Sequence, residues 1–101
     1  MDGSRQDGEL RVVDNAELNR YEVYVGPVLA GFADYHAQPQ LVTMKHTEID
    51  PAFEGRGIGS RLIAAALDDI RERRARVLPI CPFVRAYLQR HPEYADLVAL
   101  G

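Results

Sequence analysis

A chain of 101 residues with a net charge of −3, 47% hydrophobic and 27% charged, is sized for one domain around a single core. That balance supplies no field to gather nucleic acid or an acidic membrane surface, and no apolar run approaches the roughly 18 residues of a membrane span. A lone cysteine, Cys81, excludes an internal disulfide, and no Cys/His spacing suits zinc, so a metal-free protein of the cytoplasm is expected and Cys81 matters only through its thiol.

Residues 1–8 are polar beyond Met1 and read as a disordered leader, leaving 9–101 as the single domain. Residues 10–13 form a short strand that Asp14-Asn15 ends with turn chemistry. Tyr21, Glu22, Val23, Tyr24 and Val25 alternate with period two and make a second strand. Gly26-Pro27 turns the chain tightly into a third, antiparallel strand over 28–35, with Val28, Ala30 and Phe32 on one face. A fourth covers 40–49, with Val42, Met44 and His46 on one face, and completes a meander that Asp50-Pro51 breaks.

Next comes Phe53-Glu54-Gly55-Arg56-Gly57-Ile58-Gly59-Ser60, a turn with glycine at every second position. Such glycines permit positive φ and let the backbone approach a ligand; a helix starting at their end adds unpaired N–H groups and a positive dipole. This is a site for an anion, a pyrophosphate in particular, although a plain glycine-rich turn fits the same spacing. It is not a Walker loop, since Ser60-Arg61 follows the last glycine. Nor is it a dinucleotide fingerprint, whose third glycine falls one residue later and whose next strand ends in an acid.

Between 57 and 74, Ile58, Leu62, Ile63, Ala66, Leu67 and Ile70 form one helical stripe. Asp69 and Arg73 are an i,i+4 pair, and Arg71, Arg73, Arg74 and Arg76 read as a solvated basic helix end. A short fifth strand over 76–80 follows, then a helix opened by Pro82 and stopped by Pro92, with a last turn beyond. Strand, turn, helix and strand make one βαβ crossover. The fold class expected is therefore α+β: a mixed, mainly antiparallel five-stranded sheet with one crossover helix and a C-terminal helix, the fourth and fifth strands parallel.

With these elements in place, the chain resembles the GCN5-related N-acetyltransferases, whose strand, Gln/Arg-x-x-Gly-x-Gly/Ala turn and long helix match at Glu54-Gly55-Arg56-Gly57-Ile58-Gly59. It resembles most the small single-domain, YidJ-like branch, through His46-Thr47-Glu48-Ile49, Pro79-Ile80-Cys81-Pro82-Phe83 and His91-Pro92-Glu93-Tyr94, over roughly residues 10–99. The resemblance implies transfer of an acetyl group from acetyl-CoA to an amine acceptor, by a monomer or weak dimer. It implies cofactor contacts from Glu54, Gly55, Arg56, Gly57, Ile58, Gly59 and Ser60, and from Thr47, Glu48 and Ile49 at the end of the fourth strand, where Thr47 and Glu48 also line the acceptor side. Glu54 stands where the family has Gln or Arg, so it is the backbone role that carries over. The few residues between the first two strands cannot form the helices that usually cover the acceptor cleft, so that side should be open. Aligning the family's Phe-Tyr-x-Lys on Tyr87-Leu88-Gln89-Arg90 puts Leu88 at the proton-donor position and leaves Tyr87 as the structural aromatic.

Acetyl transfer needs a neutral amine, a donor to the developing oxyanion and a proton for the leaving thiolate. The resemblance assigns the oxyanion donor to a backbone N–H at the end of the fourth strand, where that strand splays from the fifth. Cys81 would sit at the splay as nucleophile or proton donor, or as a small buried hydrophobe. His46 is expected to act as base or to orient Cys81, with a structural role as the alternative; His36 and His91 are expected to be structural. Two further readings stay open: a non-catalytic acyl-CoA-binding or regulatory module, and a protein-interaction domain that keeps only the fold.

Overall fold

The computed structural model describes residues 9–99, so the leader expected over 1–8 lies outside the described residues. Strands β1 (Leu10–Asn15), β2 (Arg20–Val25), β3 (Val28–Gln38) and β4 (Leu41–Ile49) form an antiparallel meander. Helix α1 (Ile58–Glu72) crosses back to β5 (Arg76–Pro79), which pairs parallel with β4, and α2 (Pro82–Arg90) follows. The strand order is β1-β2-β3-β4-β5, the mixed five-stranded sheet expected. Short 3-10 helices occupy Pro51–Phe53 and Pro92–Leu97, and beyond the second one Val98 makes a parallel bridge with Val77 on β5.

The meander runs through tight turns. Gly26, with φ 56°, sits in the β2–β3 turn, and Gln40, with φ 67°, sits between β3 and β4. Pro27 fixes the other half of the first turn with its own restricted φ. On the inner face Tyr21, Val23, Ala33, Tyr35, Val42, Met44 and Val77 are buried against the expected α1 stripe, of which Leu62, Ile63, Ala66, Leu67 and Ile70 are wholly excluded from solvent. Each large apolar side chain so buried stabilises the fold by roughly 1.5–3 kcal/mol.

Two β-bulges shift the alternation that period two alone would give. In β3 an extra residue, Ala30, falls where Tyr24 pairs with Leu29 but Val23 pairs with Gly31. Ala30 is buried as expected, whereas Val28 is 47% exposed and Phe32 only half-buried; Ala33 and Tyr35 take the core positions instead. In β4 the extra residue is Lys45, since Tyr35 pairs with Met44 and Asp34 with His46. His46 therefore leaves the face of Val42 and Met44, while Thr47 and Ile49 join it. Gly31 holds this region close: a Cβ there would lie 2.5 Å from the Glu48 carbonyl oxygen and 2.5 Å from Ile49 Cδ1.

The basic end of α1 is exposed, as expected, and two of its arginines also act as clamps. Arg71 makes a two-pronged pair with Asp96 (2.7 and 3.1 Å) and donates to the Glu93 carbonyl (3.0 Å), fastening the C-terminal 3-10 helix to α1. Arg73 pairs with Asp69 at 2.9 Å, as the i,i+4 spacing predicts, and also with Asp14 on β1. The helix stops because Arg74 adopts φ 60°, with Ala75 N–H donating to Ile70 O (3.1 Å) and Arg74 N–H to Arg71 O (3.0 Å), the hydrogen-bond pair of a left-handed C-terminal cap.

Buried phenols tie α1 to β2, β3 to β1, and the C-terminal 3-10 helix to α1. Tyr21 donates to Asp69 (2.7 Å), Tyr35 to Asp14 (2.6 Å) and Tyr94 to Asp68 (2.8 Å). Burial first, and then the carboxylate that each hydroxyl serves, pushes Tyr35 and Tyr94 up to about 12 and Tyr21 higher still.

Candidate active site

The site forms where β4 outruns β5. Their pairing ends at Met44 and Pro79, after which the Met44 carbonyl accepts from both Ile80 N–H (3.1 Å) and Cys81 N–H (3.0 Å). From Lys45 to Ile49, β4 has no strand partner on that side among the described residues. Asp50 then accepts from Ala52 N–H (2.9 Å) to start the 3-10 turn at Pro51, and the chain enters the glycine stretch.

Gly55 has φ 83° and Gly57, the N-cap of α1, has φ 74°, and a Cβ built on either meets no atom within 4 Å. These two glycines are needed for conformation, and the space beside them is open, as a backbone-held anion requires. Gly59 has another role: a Cβ there would lie 2.8 Å from Phe83 Cζ, so Gly59 allows α2 to lie against α1.

Around this turn lies a cleft of about 380 Å³, within the roughly 300–1,000 Å³ of small-molecule sites. Of the residues expected to hold a cofactor, Thr47, Ile49, Glu54, Gly55, Gly57, Ile58, Gly59 and Ser60 line it. Arg56 and Glu48 do not: the Arg56 guanidinium lies 5.3 Å from the Phe53 ring centre, and Glu48 points to the opposite face of the sheet. Phe53, Phe83 and Arg90 also line the cleft, and sequence reasoning missed them. The i,i+7 spacing of Phe83 and Arg90 on a helix behind the glycine turn was the available signal. Open glycines, the amides at the start of α1 and a guanidinium on the facing helix together suit a pyrophosphate.

Cys81 is 3% exposed, caps α2 and lies with Sγ 3.4 Å from Thr47 Oγ1. His46 does not meet it. Turned outward by the bulge at Lys45, its Nε2 lies 2.9 Å from Glu48 Oε2, and its ring centre is 6.4 Å from that of Phe32. The expectation that His46 orients Cys81 is thus corrected: Thr47 is the residue that contacts the thiol. Leu88 occupies the aligned donor position, and Tyr87, 5% exposed, stacks on His91 at 3.9 Å with its phenol pushed up by burial. His91 lies 3.4 Å from Glu93, and His36 is exposed on β3.

The outer face of the sheet carries the rest. Only residues 16–19 connect β1 to β2, so no helix from that connection covers it. Long side chains shield the face instead: Arg11 lies over Tyr24 (4.7 Å) and Arg20 over Phe32 (4.6 Å). Between them Glu22 accepts from Arg20, Asn15 and Tyr24. Burial alone would raise its carboxyl, and these three hydrogen bonds outweigh that and hold it below the usual range. Beside Phe32 a second cleft, of about 260 Å³, includes Leu29, Glu48, Asp50 and Pro51. Among the described residues no cluster of His, Cys, Asp and Glu suits a metal ion, and no helix is long and apolar enough to cross a membrane.

Comparison with known proteins agrees with this fold. A mouse protein, Protein NATD1, is 34% identical over 89 residues, covering 86% of this chain and 81% of that one. The match to human Protein NATD1, 34% over 53 residues, covers 52% of this chain and spans only about half of the human protein (47%). Among solved structures, a GCN5-like protein of Staphylococcus aureus superposes with a TM-score of 0.66 at 18% identity, covering 92% of this chain and 89% of that one. A Mycobacterium tuberculosis protein solved in complex with CoA gives 0.58 at 20% identity, covering 88% and 60%. At such identities the likeness is one of fold. The sequence model described as GCN5-related N-acetyl-transferase matches residues 20–97, a span that takes in β2, the glycine turn and the clamped C-terminal helix, and by that match the chain belongs to the GCN5-related N-acetyltransferase family.

Proposed function

We propose that the chain is a minimal, single-domain, acetyl-CoA-dependent N-acetyltransferase of the cytoplasm, related to the YidJ-like branch, which acetylates an amine acceptor. The observation that carries this reading is the glycine turn: Gly55 and Gly57, at φ 83° and 74° with open space beside them, cap α1 against the unpaired end of β4. Acetyl-CoA, when bound, supplies an activated thioester. The backbone around Gly57 and the first turn of α1 hold its pyrophosphate, and Arg90 adds a cation from the facing helix. Backbone beyond the Lys45 bulge gives the oxyanion its donor. The Thr47–Cys81 pair returns a proton to the leaving thiolate, a transfer from one sulfur to another. His46 with Glu48, on the outer face, takes a proton from the incoming amine.

The test is a thermal titration with CoA and acetyl-CoA. Ligand at 100 times its dissociation constant adds about 2.7 kcal/mol to the folded state, a shift of several degrees in Tm. An unchanged Tm at millimolar acetyl-CoA removes the cofactor. A shift without acetylation of any amine favours the non-catalytic acyl-CoA-binding module, which the absent tyrosine donor at Leu88 also suits.

A further inference from the structure

β1 is the edge of the sheet farthest from the glycine turn: β2 pairs with it along Leu10–Asn15, and among the described residues no strand lies on its other side. The register fixes which backbone groups face that free side. Gly26 N–H donates to Glu9 O at 3.0 Å, so Glu9, Arg11, Val13 and Asn15 turn their N–H and C=O groups to β2, and Leu10, Val12 and Asp14 turn theirs outward. β1 holds neither proline nor a bulge, two devices that usually blunt an edge, and its inward charge, Asp14, is already taken up by Arg73 and Tyr35. Along the inner side of this edge runs a groove of about 300 Å³, which shares no residue with the glycine-turn cleft. Its far wall is one stripe of α1, Ala65, Asp68, Asp69 and Glu72, spaced i, i+3, i+4 and i+7. Arg73 is shared between Asp14 and Asp69, and Arg71 is taken by Asp96. Asp68 accepts from the neutral Tyr94 phenol, and neither it nor Glu72 has an ion-pair partner among the described residues, so the groove keeps a net negative charge.

We infer that the free edge of β1 docks an extended segment of another protein, paired antiparallel to β1, with arginine or lysine at every second position over the α1 stripe. The edge supplies the pairing, and the groove decides the sign of the partner's charge. A strand added at the usual spacing of about 4.8 Å meets the outward backbone groups of Leu10, Val12 and Asp14. In an antiparallel pair, the partner residues that bond those groups also point their side chains to the inner face, where Asp68 and Glu72 receive a cation. The intervening side chains join Arg11 and Val13 on the outer face, and beside Arg11 an apolar residue is preferred to a second cation. A second copy of this chain fits poorly. Joined edge to edge about a two-fold axis, the two copies would set their α1 carboxylates side by side on one face, like charge against like.

The probe is the peptide Ac-Arg-Val-Arg-Val-Arg-amide, which carries no amine that could be acetylated. Added to the full chain, it should slow amide hydrogen exchange at Leu10, Val12 and Asp14 at least tenfold, and leave Arg11 and Val13, already bonded to β2, as they were. Methylating the amide nitrogen of the central arginine removes a donor to β1 and should weaken binding at least tenfold. The same methyl group on a valine, whose N–H points away from β1, should leave affinity unchanged. Val12→Pro deletes an outward donor while sparing every bond to β2, and should abolish the response. Asp68→Asn combined with Glu72→Gln should weaken it at least fivefold at low salt and flatten its salt dependence. Should Val12→Pro fail to fold, the two methylated peptides still decide. Equal affinity of those two peptides, equal binding of Ac-Glu-Val-Glu-Val-Glu-amide, or no protection at the three outward amides would overturn the assignment. So would a dimer in sedimentation that Val12→Pro abolishes, because a second copy would then be the occupant.

Discussion

Gly59 and Phe83 allow a sharp test of how the cleft is walled. An alanine at position 59 would place its Cβ 2.8 Å from Phe83 Cζ and 3.4 Å from Cε2, while its contact with Ile49 Cγ1, at 3.5 Å, is ordinary. The phenyl ring must therefore yield, and being 39% exposed it can do so by swinging outward. Overpacking of this kind costs about 1–3 kcal/mol. Against it stands the gain of up to about 1 kcal/mol from replacing a helical glycine with alanine. Gly59→Ala should thus destabilise by about 0–2 kcal/mol in the otherwise unaltered protein. In a Phe83→Ala background the clash is gone and only the propensity gain remains, so the same change should stabilise by up to about 1 kcal/mol. The coupling between the two sites is then about 1–3 kcal/mol, measured by urea unfolding of the four proteins at equal m-value. If Gly59→Ala has the same effect in both backgrounds to within about 0.5 kcal/mol, the two helices do not meet there as described.

The thiol is tested with Cys81→Ser, Cys81→Ala and Thr47→Val: if Thr47 and Cys81 share a proton, all three should still bind CoA while amine acetylation falls, by roughly 10²–10⁴-fold for loss of a general acid. Intact-protein mass after mixing with acetyl-CoA decides between covalent and proton-transfer roles, and full turnover in Cys81→Ala would remove the thiol from the chemistry. Alkaline stability is the other expectation. Tyr35 and Tyr94 hold their protons up to about 12 when folded against 10.0 for the free phenol, so the stability they contribute is complete below pH 10 and is lost as pH rises towards 12. Urea midpoints should fall across that window and fall less in Tyr94→Phe; a midpoint unchanged from pH 9.5 to 12 would contradict the buried Tyr–Asp pairs.

Element order, strand pairing and the α1 stripe were legible in the sequence because each depends on local periodicity and turn residues, such as Gly26-Pro27 and the Ile58 to Ile70 spacing. The glycine turn was legible for the same reason, since positive φ at Gly55 and Gly57 is a property that only the residue type need declare. What could not be read was phase. A bulge inserts one residue into one strand of a pair, and nothing in Val42-Thr43-Met44-Lys45-His46 marks Lys45 as that residue. Strict alternation therefore put His46 on the face of Val42 and Met44, next to the splay where Cys81 was expected. The partners of Arg71, Arg73 and Arg90 were hidden too, because Asp96, Asp14 and the cleft come near them only through the packing of α1, β1 and α2.

Lys45 also restricts what kinds of change this chain can absorb. Side chains after the bulge are dealt alternately to two chambers, so which residue serves which chamber is set by a count along the strand and not by any contact of Lys45 itself. Replacing Lys45 leaves the count alone. Deleting it would close the bulge without moving either set, because Met44 and His46 already oppose the neighbouring residues Tyr35 and Asp34, whereas inserting one residue after His46 would turn Glu48 inward and Thr47 and Ile49 outward, with both chambers losing their walls at once. Sequence length beyond the bulge is therefore more tightly constrained than sequence identity, and tolerance of substitution at Lys45 gives no guide to tolerance of a codon inserted after His46.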